Sequence, residues 1–411
     1  MFFLVLAILF LWLPGISWIK SSGIKSTELR LLLLVQITAG LIVGWYTSQY
    51  HLDKDYWSLH REGLLEYQLL KKDPIEFIKS ITFSPYENQY GHFFNAVGSY
   101  WNDLRNTLMA KLLAIINLIS NGNYYTNSLF FNTLAFIGHV FIYKLFILLY
   151  PANKKILIFS CFLLPSTLLF VSGIHKDILI FSALSVFCYF LYVTLQDKLS
   201  VKRLILLVLT WMILLVMRNF LAIVLLFFVG VYIISEKTKR NGWLIFTVGS
   251  LLMITFVFLI DTWKPEFSPA KLIANRQADF AQLETSSASL PLQQVQPNAK
   301  SLTLQIPEAA NHGWLRPYPF ETPNLFTKIM GIEWWIYLVF VLLSMITSRN
   351  KLIKARPMLI FLCSFPLFMM LVSGWIVPNL NAIVRYRSIY LPLLLTPFIV
   401  LTIQRIKHIN L

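Results

Sequence analysis

Apolar runs close to 20 residues recur along this 411-residue chain. Wound as a helix, a run of that length crosses the roughly 30 Å hydrocarbon core of a bilayer. There every backbone N–H and C=O must find its partner within the chain, which leaves helices and closed barrels. Runs of helical length predict an all-α polytopic membrane helical bundle, a single integral membrane domain over residues 1–411. Only 13% of the residues are charged, against about 25% in a soluble domain.

Eleven apolar segments are expected to span: 2–19, 31–47, 128–150, 156–171, 178–195, 204–217, 220–235, 242–260, 334–347, 357–377 and 389–404. The segments 204–217 and 220–235 are short, and read as one broken helix they lower the count to ten. Charge favours eleven. Alternate loops are then short and basic, with Lys20, Lys25 and Arg30 in the first, Lys154 and Lys155 in the next, and Arg349, Lys351, Lys354 and Arg356 near the end. Among the acidic residues only Glu28, Asp197 and Glu236 share that side. Short loops rich in Lys and Arg stay in the cytoplasm. The N-terminus is expected outside, the C-terminus in the cytoplasm, and the protein in a bacterial-type cytoplasmic membrane. The net charge of +16 then reflects topology largely, and no nucleic-acid partner is expected.

Two external loop regions follow, 48–127 and 261–333. In the first, 104–119 reads as an amphipathic helix suited to the bilayer surface. In the second, 284–310 is rich in Ser, Gln, Asn, Ala and Pro and reads as mobile. Cys161, Cys188 and Cys363 lie in apolar segments, so neither a disulfide framework nor a metal-ligand spacing is expected. The apolar start, Met1 to Trp18, lacks a basic n-region and reads as a retained helix, not a signal peptide.

No soluble-enzyme motif is present, so chemistry is expected from charges at the outer membrane face. Asp53 and Asp55 follow the second span; carboxylates so placed suit a general base or a divalent-cation ligand, or simply a solvated loop start. His175, Lys176 and Asp177 sit in a turn between spans, where charge beside hydrocarbon tends to mark function. Lys176 suits phosphate as a compact point charge, or it snorkels beside Asp177. Arg218 lies between two short spans and needs an anionic partner, Asp177 or a lipid phosphate. Arg385 and Arg387 break the basic-inside trend, and their forked guanidiniums suit phosphate or anionic lipid. Trp314 to Glu321 reads as a rigid stretch, with Arg316 and Tyr318 as sugar-facing candidates or part of an interfacial aromatic belt. Lys144, inside the third span, has no evident partner.

Three of these elements, Asp53-Lys-Asp55, Pro165-Ser-Thr…His-Lys-Asp177 and Arg385-Tyr-Arg387…Pro392, resemble envelope-polysaccharide membrane proteins of the GT-C glycosyltransferase superfamily and, less closely, the O-antigen polymerases. The resemblance implies transfer from a polyprenyl-phosphate-linked or diphosphate-linked sugar to a glycan or lipid acceptor. It implies Asp53 or Asp55 as base or ligand of a divalent cation, and Lys176, Arg218, Arg385 and Arg387, beside His175, as holders of the carrier phosphate. One departure stands: the acidic loop follows the second span, where the superfamily places it after the first.

Overall fold

The computed structural model describes all residues except 51–54, 82–99, 198, 239, 265–266, 282–287, 322–324 and 410–411. Among those described, the chain is helical and holds no β-strand. It divides into two compact units, the first closing at Asn219 and the second running Phe220–Leu411.

The first unit opens with α1 (Phe2–Trp12), a 3-10 turn at Pro14, and α2 (Ser17–Lys20). Then come α3 (Ser26–Tyr50), α4 (Asp55–Lys72), α5 (Pro74–Lys79), α6 (Tyr100–Ser120) and α7 (Tyr124–Leu149). The unit ends with α8 (Lys154–Phe162), α9 (Pro165–Phe170), α10 (Lys176–Gln196) and α11 (Val201–Met217). Helix α7 is the core element, with two thirds of its apolar window buried. Phe131, Phe136, Tyr143 and Phe146 along it are fully covered. Its start is set locally: Asn121 and Gly122 take positive φ, and the Asn123 side chain accepts from the Thr126 N–H, an N-cap that satisfies an otherwise orphan donor. Lys144 finds its partners in the Trp18 carbonyl and the Ser21 hydroxyl.

The second unit holds α12 (Asn219–Thr238), α13 (Gly242–Trp263), α14 (Pro269–Ala281), α15 (Ala299–Leu304) and α16 (Ile306–Ala310). A π turn at 311–315 leads to α17 (Leu325–Thr347), α18 (Arg349–Ile353), α19 (Pro357–Ile376), α20 (Leu380–Ser388) and α21 (Leu391–Ile409). Helix α19 is central here. Gly313 and Gly374 let the π turn and α16 lie directly on it, since a Cβ on either glycine would strike the backbone carbonyl of Met370 or Ala309.

Among the described residues seven helices, α3, α7, α10, α12, α13, α17 and α19, are long and apolar enough to cross a membrane. An eighth results if α20 and α21, bent by 71° at their junction, count as one span. The chain is thus a multi-pass membrane protein. The other three apolar segments are shorter helices. Pro14 ends the first after one short helix. Pro165 splits 156–171 into α8 and α9: proline lacks the N–H that would continue the ladder and holds Leu164 extended. Segment 204–217 is the 17-residue α11, about 25 Å long at 1.5 Å per residue. It ends because Arg218, at φ −155°, leaves helical geometry, so 204–235 is two helices.

Two loop expectations change. Of the stretch 284–310, residues 284–287 lie outside the described residues, and 288–310 are packed and hydrogen-bonded. Gln277 clamps them, donating to the Gln293 and Trp375 carbonyls and accepting from the Val295 N–H. Ala288, Leu290, Val295 and Leu302 pack on Trp375 and Ile376. The composition looked polar, but a few apolar residues at irregular spacing anchor the segment. Helix α6 covers the expected amphipathic stretch, yet it lays its Met109, Leu113 and Asn117 face against α4. Ile115, Leu118 and Ile119 remain exposed, the side available to a bilayer surface.

Candidate functional site

The first unit builds its polar centre at the start of α10. Gly173, at φ +77°, turns the chain sharply, a conformation glycine adopts without a Cβ clash. Its N–H donates to Asn132 Oδ1 on α7. His175 then caps α10: its Nδ1 lies 3.1 Å from the Asp177 N–H and 3.2 Å from Asp177 Oδ2. A carboxylate in the first turn of a helix also meets the positive end of the helix dipole. Arg218, where α11 ends, places one terminal nitrogen 3.0 Å from Asp177 Oδ1. Asp177 is fully buried and the Arg218 side chain is only 9% exposed. Of the two partners left open for Arg218, the structure provides Asp177, and it brings His175, Lys176 and Arg218 together as expected.

Helix α4 covers this turn. Its Leu59 and Tyr67 face inward, with Gly63 between them packed tightly on Leu113 of α6. The Tyr56 ring lies 4.9 Å from His175. Trp57 stacks on Tyr124 at 4.0 Å and donates its indole N–H to the Gly44 carbonyl. His60 meets the Tyr124 ring edge-on, and behind it Asn127 donates to Asn117, which donates to the Gly63 carbonyl.

Glu62 follows on the same helix. It is partly covered, and burial raises its pKa, an effect opposed by the charges of Lys176 and Arg61. Sequence reasoning missed it, because an isolated Glu well past the end of the second span carries no motif. The one pattern available was its position three residues, just under one helical turn, after the inward-facing Leu59. Asp53 lies outside the described residues. Asp55 is the first residue of α4. No cluster of three or more His, Cys, Asp or Glu side chains converges among the described residues. Asp177 is paired with Arg218.

His60 gives the site a pH signature. It is 5% exposed, and burial pushes its pKa down from 6.5 to about 4. The folded state therefore holds it neutral, while the unfolded chain takes up a proton below about pH 6.5. Its stability contribution is complete above that pH and is lost on acidification toward pH 4, by about 1.4 kcal/mol per pH unit. Unfolding of the detergent-solubilised protein should be easier at pH 5 than at pH 7, by about 2 kcal/mol from this residue, and His60→Gln should remove that part of the slope. An identical slope in the variant would rule His60 out as its source.

The second unit holds the remaining candidates. Arg387, on α20, is 2% exposed. Its guanidinium stacks 3.9 Å from the Trp334 ring centre and donates to the Arg316 carbonyl at 2.8 Å. Arg316 pairs with Glu321 at 3.1 Å, and Glu321 also accepts from the Tyr318 N–H. Tyr318 donates its hydroxyl proton to Asn311. Residues 314–321, expected to be rigid, are thus tied together by these contacts and joined to Arg387 through the Arg316 carbonyl. Arg385 is partly exposed and lies over Tyr386. Arg276 of α14, another residue the sequence reading missed, is coupled to Tyr386 and Asp279, and burial lowers its pKa. It is an arginine on the same sequence-expected outer side as Arg385, so the rule that singled out Arg385 applied to it as well. Compared with known proteins, the chain matches no family model, no curated protein and no solved structure.

Proposed function

We propose that this protein is a membrane glycosyltransferase that takes a sugar from a polyprenyl-phosphate or polyprenyl-diphosphate carrier in assembling cell-envelope polysaccharide or glycoconjugate. The observation that carries this reading is Glu62. A partly covered carboxylate on the helix that packs over the His175 turn, its pKa raised by burial and lowered by the charge of Lys176, is suited to accept a proton as a general base. In the reaction, an acceptor hydroxyl oxygen bonds to the anomeric carbon and the bond from that carbon to the carrier phosphate breaks. The electron pair leaves on the phosphate oxygen, and the hydroxyl proton passes to the Glu62 carboxylate. We assign to Lys176 and Arg218, the latter already paired with Asp177, the role of offsetting charge on the departing phosphate, the kind of preorganised charge that supplies a large share of catalysis. Asp53 or Asp55 is the alternative base. Transfer from a synthetic polyprenyl-phosphate sugar by the purified protein in liposomes tests the reading, and transport of that lipid without transfer would overturn it.

A second reading, an O-antigen-type polymerase, is favoured by one observation: each unit carries its own cationic group. Lys176 and Arg218 lie in the first, Arg276 and Arg385 in the second, and a polymerase handles two diphosphate-linked glycans. Arg316 and Tyr318 are then contacts for glycan.

The orientation belongs to the same proposal: eleven crossings, with the three short helical segments included, N-terminus outside and C-terminus in the cytoplasm of a bacterial-type inner membrane. Alkaline phosphatase fused after Gln294 should be active and fused after Lys354 inactive, because the basic loops stay inside. Activity at Lys354 would sink the eleven-span arrangement.

A further inference from the structure

We infer that the second unit binds the headgroup of an anionic phospholipid in a groove at one end of α13 and α17. The groove has a volume of about 330 Å³ and is lined by Asn241, Trp243, Met345, Arg349, Leu352 and Ile353. That volume lies at the low end of small-molecule sites, which run from about 300 to 1,000 Å³, and suits a headgroup rather than a whole lipid.

Three features select the occupant. First, the groove is built, since the Trp243 indole N–H donates to the Leu352 carbonyl at 2.9 Å and ties the start of α13 to α18. Second, its walls belong to the two most exposed of the unit's long spans. Only 11% of the apolar window of α13 and 28% of that of α17 are buried, against 72% for α19. Met345 and Ile353 are exposed, so acyl chains would continue from the groove along apolar helix surface. Third, the two stretches that supply its lining are cationic: Lys237, Arg240, Arg349, Lys351, Lys354 and Arg356 are all exposed, and Glu236 is the one acidic residue in 236–242 and 348–356. Arg349 is the cation that lines the groove itself. Its planar fork matches two phosphate oxygens, and Trp243 has the amphipathic ring that favours headgroup level. Clusters of basic residues at a span end are the usual footprint of anionic lipid. A phosphodiester headgroup with a net negative charge is thus the fitting ligand, and a zwitterionic lipid is not. The inference does not depend on the transferase reading.

Native mass spectrometry of the full-length protein in detergent, with equal amounts of phosphatidylglycerol and phosphatidylcholine added, tests it. The wild type should retain phosphatidylglycerol in preference. Arg349→Gln should lower that occupancy about fivefold, the factor that one cation contributes at a membrane surface. Lys154→Gln, in a basic loop of the first unit, should leave it unchanged. Arg349 is exposed, so the fold is not at stake, and equal melting temperatures would verify this. Equal retention of the two lipids, or an equal loss in the Lys154 variant, would overturn the site and leave only diffuse charge.

Discussion

Glu62→Gln is expected to slow sugar transfer from a polyprenyl-phosphate donor by about 10² to 10⁴, the range a general base contributes, while the protein remains folded in the membrane. The amide has nearly the shape of the acid, and the side chain is only partly covered, so its packing on α4 changes little. Charge gives a second readout. Burial raises the Glu62 pKa and the positive charge of Lys176 lowers it. The base works as the carboxylate, so the wild-type rate should rise with pH through the Glu62 pKa. Lys176→Gln removes the opposing charge, and the acid limb of the profile should move to higher pH. A residue that merely supported the fold would lower the rate without moving that limb. Full activity in Glu62→Gln, with Asp53→Asn or Asp55→Asn inactive, would return the role of base to the start of the loop. Loss in none of the three would end the catalytic reading of this face.

The second large effect concerns stability. Arg218→Ala is expected to destabilise the first unit by about 3–5 kcal/mol, the cost of leaving one member of a buried ion pair alone. Asp177 is fully buried and 3.0 Å from that guanidinium. It also lies in the first turn of α10 beside His175, so its charge has no solvent to fall back on. Arg218→Ala combined with Asp177→Asn should recover part of the loss, because the double variant removes the stranded charge as well as the pair. Denaturant unfolding in detergent, run as a double-mutant cycle, measures the coupling. A cycle that closes additively would show that the two side chains do not stabilise each other.

What the sequence alone determined was the class of the fold and several of the points where its helices break. Runs of about 20 apolar residues leave no alternative to helices, and so each of the eleven segments is helical. The prolines at 14 and 165, and Arg218 between two apolar runs, were visible as interruptions. The Arg218–Asp177 pair was also legible as one of two options, because a guanidinium beside hydrocarbon needs an anion and few were near.

Tertiary structure decided the rest. Residues 284–310 read as mobile by composition, yet Gln277 and the apolar face of α19 hold 288–310. No local pattern encodes a clamp supplied by a glutamine in one helix and a tryptophan carbonyl in another. Arg387 carries the same sequence signal as Arg385, yet it is buried beneath Trp334 and bound to the Arg316 carbonyl. Whether an arginine faces a ligand or a backbone depends on which helix packs over it. Glu62 became a candidate only when α4 folded over the His175 turn, because its raised pKa comes from burial, a property of packed surfaces and not of its neighbours in the chain.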